Sequence, residues 1–227
     1  MTKVKKTHTE ENLEIVEGAL SRSEQFIEQN SKMLTVVLGG IIAVVAIYFA
    51  YTRFYVAPQQ EEAVNEMFFA ENYFEKDSFN LALNGDGNQR GFLYIIDEYG
   101  GTKAANLAHY YAGFSYLHLG EFQKAIDQLE SFDGKEPMLT ALALGGLGDA
   151  YAEMGNKSKA ISYYEDAAAD PNEYTTPMFL FKAALMHEAN GDFKSALELY
   201  EQINKDYKLS SEGRMITKYI ERAKLNL

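Results

Sequence analysis

Apolar positions along this chain follow two different patterns. From Met33 to Thr52 there is an uncharged run of 20 residues, bounded by Lys32 and Arg53. A helix of that length covers about 30 Å, the thickness of a bilayer's hydrocarbon core. Everywhere else apolar residues recur at helical spacing among polar ones. In the preceding tail Leu13, Val16, Leu20 and Ile27 fall near one helical face, and Thr7-x-x-Glu10 fits a capping box. That tail reads as a partner-docking helix or as a polar lead-in lying at the membrane. Further on, Phe92, Ile95, Ile96 and Tyr99 keep the i, i+3, i+4, i+7 spacing. At the end, Met215, Ile216, Tyr219, Ile220, Ala223 and Leu227 do so again. The pattern predicts an all-α chain with one transmembrane helix.

Past the apolar run the helical pattern repeats. Gly113-x-x-Tyr116-x-x-x-Gly120-Glu121-Phe122-x-x-Ala125 is followed by Gly148-x-x-Tyr151-x-x-x-Gly155-Asn156-Lys157-x-x-Ala160. A third copy reads Ala184-x-x-His187-x-x-x-Gly191-Asp192-Phe193-x-x-Ala196. The turn glycines are 35 and 36 residues apart. This resembles the tetratricopeptide repeat (TPR), a helix-turn-helix unit of about 34 residues. The small residue in the first helix admits the second helix closely. The following Gly suits a left-handed C-terminal cap. Ala early in the second helix sits at the tight crossing, and Leu129, Tyr164 and Tyr200 fill the gap to the next repeat. Pro137 and Pro171 are expected to mark the ends of second helices.

A degenerate copy precedes these three. Ala70-x-x-Tyr73-x-x-x-Asp77-Ser78-Phe79-x-x-Ala82 carries Asp77 where Gly is expected. The turn-rich stretch from Asn84 to Gly91 accounts for its extra length. As an EF-hand that stretch fails, because counting from Asp86 puts Arg90 at a ligand position. The expected organisation is a tail over 1–32, a signal anchor over 33–52 and a TPR domain over 53–227. Within that domain the degenerate repeat spans 63–103, with its insertion at 84–91. The regular repeats span 106–140, 141–176 and 177–210, and a capping helix spans 211–227. The fold class is therefore an all-α, TPR-type α-solenoid behind a single N-terminal transmembrane helix, closed by a C-terminal cap.

Composition narrows the function. The 33 Asp+Glu against 21 Lys+Arg give the 227 residues a formal net charge of −12. That balance argues against nucleic acid, which needs a basic face, and against charge-driven docking on anionic lipid. With no cysteine, disulfides, thiol catalysis and Cys-based zinc sites are excluded. No metalloprotease, nucleophile-elbow, P-loop or dinucleotide motif occurs, so no enzyme, cofactor or metal is expected. His8, His109, His118 and His187 read as packed or surface imidazoles. Before the apolar run stand Lys3, Lys5, Lys6, Arg22 and Lys32. After it only Arg53 precedes Lys76. The asymmetry predicts a cytoplasmic N-terminus and a large domain outside. The long tail and the lack of a small-x-small site predict an uncleaved anchor.

TPR arrays bind segments in the concave groove of their first helices. Counted within the repeats, the groove positions of the first regular copy are Leu107, Tyr110, Phe114 and Leu117. Those of the second are Leu142, Gly145, Asp149 and Ala152. The third supplies Met178, Phe181, Leu185 and Glu188. This set lacks the Lys and Asn pattern of TPRs that clamp a C-terminal carboxylate. It suits a hydrophobic peptide or helix, unless neighbouring helices or the cap cover it.

The layout of short tail, single anchor and acidic TPR domain resembles the YfgM family of bacterial inner-membrane proteins. The likeness includes Phe92-Leu93-Tyr94-Ile95-Ile96-x-x-Tyr99 and Thr102-x-Ala104-x-x-x-Ala108-x-Tyr110. That stretch also looks like BamD-type lipoproteins, whose lipobox cysteine this chain lacks. The YfgM resemblance implies an ancillary, non-enzymatic subunit of the SecYEG translocon with its TPR domain in the periplasm. It implies as partners a PpiD-like chaperone and unfolded secretory or outer-membrane clients. The open alternative is an anchored scaffold of another cell-envelope machine.

Overall fold

The computed structural model describes the backbone of residues 8–227 and the side chains from residue 26 onward. Thr7 of the expected capping box, Lys3, Lys5 and Lys6 lie outside the described residues, as do the side chains of Leu13, Val16 and Leu20. The chain divides into two units, residues 1–55 and 56–227.

The first unit contains one helix, α1 (His8–Tyr51), so the tail and the apolar run share a single helix. Every large apolar side chain from Val36 to Tyr51 is more than half exposed. The segment is long and apolar enough to cross a membrane. A π-helical turn, Thr52–Val56, follows it.

The second unit is a helical solenoid with no strand among the described residues. Its helices are α2 (Ala57–Glu75), α3 (Phe79–Asn84), α4 (Phe92–Glu98), α5 (Lys103–His118) and α6 (Phe122–Ser131). They continue as α7 (Pro137–Glu153), α8 (Lys157–Ala167), α9 (Thr175–Ala189), α10 (Phe193–Asp206), α11 (Ser211–Met215) and α12 (Thr217–Lys224). Helices α5 and α6, α7 and α8, and α9 and α10 pack as antiparallel hairpins, while α5, α7 and α9 touch in a row. Helix α2 packs against α5 at the N-terminal end of that row.

The repeat residues do what their sizes allow. Ala82, Ala125, Ala160 and Ala196 are fully buried where the second helix crosses the first. A Cβ at Gly113 would collide with Leu129, and one at Gly148 with the ring of Tyr164. Absence of a side chain therefore sets the spacing of these two hairpins, and Ala70 and Ala184 hold the place in the others. Gly120, Gly155 and Gly191 have φ of 77°, 77° and 81°. In each turn the next amide reaches back to the carbonyl of the residue four before that glycine: Glu121 N to Tyr116 O, 2.9 Å; Asn156 N to Tyr151 O, 2.8 Å; Asp192 N to His187 O, 2.9 Å. The degenerate copy makes the same turn. Asp77 sits at φ 56°, and Ser78 N donates to Tyr73 O at 2.9 Å. Asp is among the few side chains that tolerate this left-handed conformation.

Helices α3 and α4 together stand where a regular repeat has one second helix, with residues 85–91 between them. The Asp86 carboxylate organises that loop. It accepts from the amides of Asn88 (2.9 Å) and Gln89 (2.7 Å) and from the Tyr73 hydroxyl (2.8 Å). These donors hold its pKa below the ordinary value, the Gln89 amide most strongly.

Two local expectations are corrected. Pro137 opens α7 instead of closing α6, where its missing N–H costs nothing because first-turn amides have no helical partner. The cap is two short helices, α11 and α12, divided at Ile216, whose side chain is fully buried.

Candidate functional site: the row of first helices

The expected groove residues lie on α5 (Leu107, Tyr110, Phe114, Leu117), α7 (Asp149) and α9 (Met178, Phe181, Leu185). All eight are half-buried, yet their surroundings differ from helix to helix.

On α5 they form an aromatic ledge. Ring centroids of Tyr110 and Phe114 are 4.8 Å apart, and Phe132 approaches Tyr110 at 5.4 Å. Burial raises the pKa of the Tyr110 hydroxyl to about 12, with the Tyr111 hydroxyl adding to it. The phenol therefore stays neutral and a hydrogen-bond donor at any physiological pH. Phe114 lies against α7 at Gly146, where a side chain would displace its ring. Leu117 packs into the apolar clusters on both sides of α5, and Leu107 into the N-terminal one. Leu107 also lines a cavity of about 650 Å³ between the N-terminal ends of α5 and α7. Its polar wall includes Lys103, Asn106, His109 and Lys135.

On α7 the groove is occupied from within. Gly145 is covered by the ring of Phe179, which lies where a Cβ would be. Asp149 is already committed: its carboxylate receives Lys182 Nζ on both oxygens at 2.7 Å and the Tyr164 hydroxyl at 2.6 Å. Lys182 in turn lies 5.6 Å from the Tyr164 ring centroid and 5.9 Å from that of Phe179. Burial first, then the bond to Asp149, pushes the Tyr164 hydroxyl pKa upward. This triad ties the second regular hairpin to the third. Lys182 carried no consensus signal, so the sequence pattern missed it.

On α9 the row is closed by the cap. Phe181 meets Tyr219 of α12 edge-on at 4.8 Å and Tyr200 at 6.0 Å. Glu188 forms a two-pronged pair with Arg222 of α12. Met178 packs into the C-terminal cluster, and Leu185 is half-buried. The polar and apolar contacts of α12 thus take the place that a further first helix would take.

Three of the histidines, His109, His118 and His187, make contacts with neighbouring side chains. His109 Nδ1 shares a hydrogen bond of 2.8 Å with Gln128, and His118 stacks on Phe79 at 4.4 Å. His187 lies 3.3 Å from Glu165 and 3.4 Å from Asp192.

Comparison with known proteins agrees with this geometry. Tetratricopeptide repeat models match residues 107–137, 143–173 and 179–210. No curated protein matches the chain by sequence. Among solved structures, a Podospora anserina protein described as a kinesin light chain with nearly identical TPR-like repeats superposes with a TM-score of 0.57. It is 14% identical, covering 74% of this chain and 87% of that one. PcrH, solved with the chaperone binding region of PopB, matches with a TM-score of 0.43 and 21% identity over 56% of this chain and 98% of that one. The chain therefore carries tetratricopeptide repeats within an α-solenoid, and such repeats serve as protein-interaction scaffolds. Its N-terminal helix is long and apolar enough to cross a membrane.

Proposed function

We propose that the chain is an ancillary subunit of the bacterial SecYEG translocon, anchored by residues 33–52 with its tail, 1–32, in the cytoplasm. In this reading the TPR domain, 53–227, lies in the periplasm and scaffolds a PpiD-like chaperone or holds emerging secretory clients. The observation that carries the proposal is the pairing of an exposed apolar helix with a solenoid whose α5 ledge presents Leu107, Tyr110, Phe114 and Leu117 half-buried. Lys and Arg concentrated before the apolar run support the orientation. Anchoring raises the local concentration of the domain beside the channel, so a weak apolar grip suffices. The partner-facing residues assigned here are those of the α5 ledge. Asp149 on α7 and Phe181 on α9 act instead as internal joints, and Met178 and Leu185 share α9 with Phe181.

Crosslinking in membranes, then gentle detergent extraction through a C-terminal tag and mass spectrometry, tests this assignment. The expected result is co-recovery of SecYEG and a PpiD-like chaperone. Tyr110→Ala with Phe114→Ala should reduce client recovery while leaving membrane insertion intact. Recovery of another envelope machine, with no translocon subunit even after crosslinking, would replace the translocon by that machine.

A further inference from the structure

The N-terminal end of the solenoid carries a second apolar surface, on the side of α2 turned away from the core. Ala63, Met67 and Ala70 bury one side of this helix. At about 100° per residue, Val64 lies about 90° round the helix from them, and Phe68 and Phe69 flank the far side at about 130° in either direction. They are 53%, 57% and 40% exposed, and the rings of Phe68 and Phe69 meet edge-on at 5.4 Å. In the repeat register Phe68 occupies the position by which Lys182 on α9 reaches back toward the preceding hairpin. Among the described residues no earlier hairpin of the solenoid receives it.

The same helix holds Glu61, Glu62, Glu66, Glu71 and Glu75 and neither Lys nor Arg. Glu61 and Glu75 lie on the stripe of Val64 and Phe68, one turn or two beyond either end. The patch is thus apolar at its centre and anionic at its rim. That charge pattern selects the occupant. A second copy docking α2 on α2 would set glutamates against glutamates. An anionic lipid surface would be repelled in the same way.

We infer that α2 docks an amphipathic helix of another protein, whose apolar stripe covers Val64, Phe68 and Phe69 and whose flanking Lys or Arg side chains meet Glu61 and Glu75. Desolvation on docking strengthens those ion pairs, and the apolar centre supplies most of the grip. The surface is on α2 and the ledge on α5, and docking here does not require the translocon as the partner.

The test places benzoylphenylalanine at Asn65, exposed beside the patch, in the full-length protein in membranes of its own cells. After irradiation the crosslinked peptide is mapped by mass spectrometry. The expected adduct is a helical segment of another protein with apolar residues at three- and four-residue spacing flanked by Lys or Arg. Phe68→Ala should lower its yield about tenfold, as loss of a central anchor does. Glu61→Lys with Glu75→Lys should lower it too, and neither variant should move the melting temperature appreciably, because these side chains are exposed. An adduct to a second copy, to lipid, to a segment of this same chain or to an acidic segment overturns the inference. So does a yield insensitive to Phe68→Ala, or one no greater than from a probe at exposed Glu201. Capture of a basic helix outside the translocon would support the docking surface while counting against the translocon.

Discussion

The two ends of the solenoid solve the same problem in opposite ways. A stack of helical hairpins leaves an apolar side bare at each end. At the C-terminal end, α11 and α12 cover it: Ile216, Ile220 and Ala223 turn inward onto Tyr200 and Ile203. Lys218, Glu221, Arg222 and Lys224 on α12 are exposed. At the N-terminal end the described residues of the solenoid include no such layer, and Val64, Phe68 and Phe69 of α2 are exposed. The contrast shows that an apolar residue at helical spacing has no fixed role. Phe181 and Phe68 are both aromatic residues on first helices, yet one is covered by its own chain and the other is offered to a partner.

That contrast can be broken most severely at the cap. Ile216→Ala removes a fully buried side chain at the α11–α12 junction. It should cost about 2–5 kcal/mol in urea unfolding, since the site sits between two helices that cannot collapse onto the gap. A cost below about 1 kcal/mol would mean that the cap is loosely attached. The next effect comes from Glu188→Ala. The Glu188 side chain is 10% exposed and its partner Arg222 is 49% exposed. Because Arg222 can turn to water, the loss should be about 1–2 kcal/mol, as expected of a hydrogen bond to a charged group. The Tyr200 hydroxyl, whose pKa is raised by burial and by the Glu188 charge, should titrate at lower pH in this variant. Phenolate absorbance reads that shift.

The smallest effect sharpens the N-terminal side. Burial first, then the charge of Glu75, raises the pKa of Glu71 on α2 above the ordinary carboxylate value. A carboxyl raised in the folded state favours folding below its unfolded pKa, and that contribution is lost as pH rises through the folded value. Glu71→Gln removes the penalty of the buried charge. The variant should melt about 1–2 °C above wild type at neutral pH and level with it near pH 3.5. A melting curve insensitive to this change at both values would show that Glu71 is solvated as the neighbouring exposed glutamates are.

Much of the architecture could be read from residue types alone. Turn glycines at a spacing of 35 and 36, buried alanines at the crossings and a small residue opposite each large one describe a repeat through local geometry. Even Asp77 was legible, since a left-handed turn tolerates Asp. Composition and the uninterrupted apolar run likewise pointed to a membrane-crossing helix, because both depend on sums along the chain and not on neighbours. Tertiary structure decided what each groove position does. Periodicity tells which side of a helix a residue occupies, but not whose side chain arrives there from 30 residues away. Phe179 filling Gly145, Lys182 claiming Asp149, and Tyr219 with Arg222 closing over Phe181 and Glu188 are all such arrivals. The bare side of α2 is the converse case. Its residues carry the pattern of a packed helix, and they are exposed where the described residues of the solenoid supply no preceding hairpin.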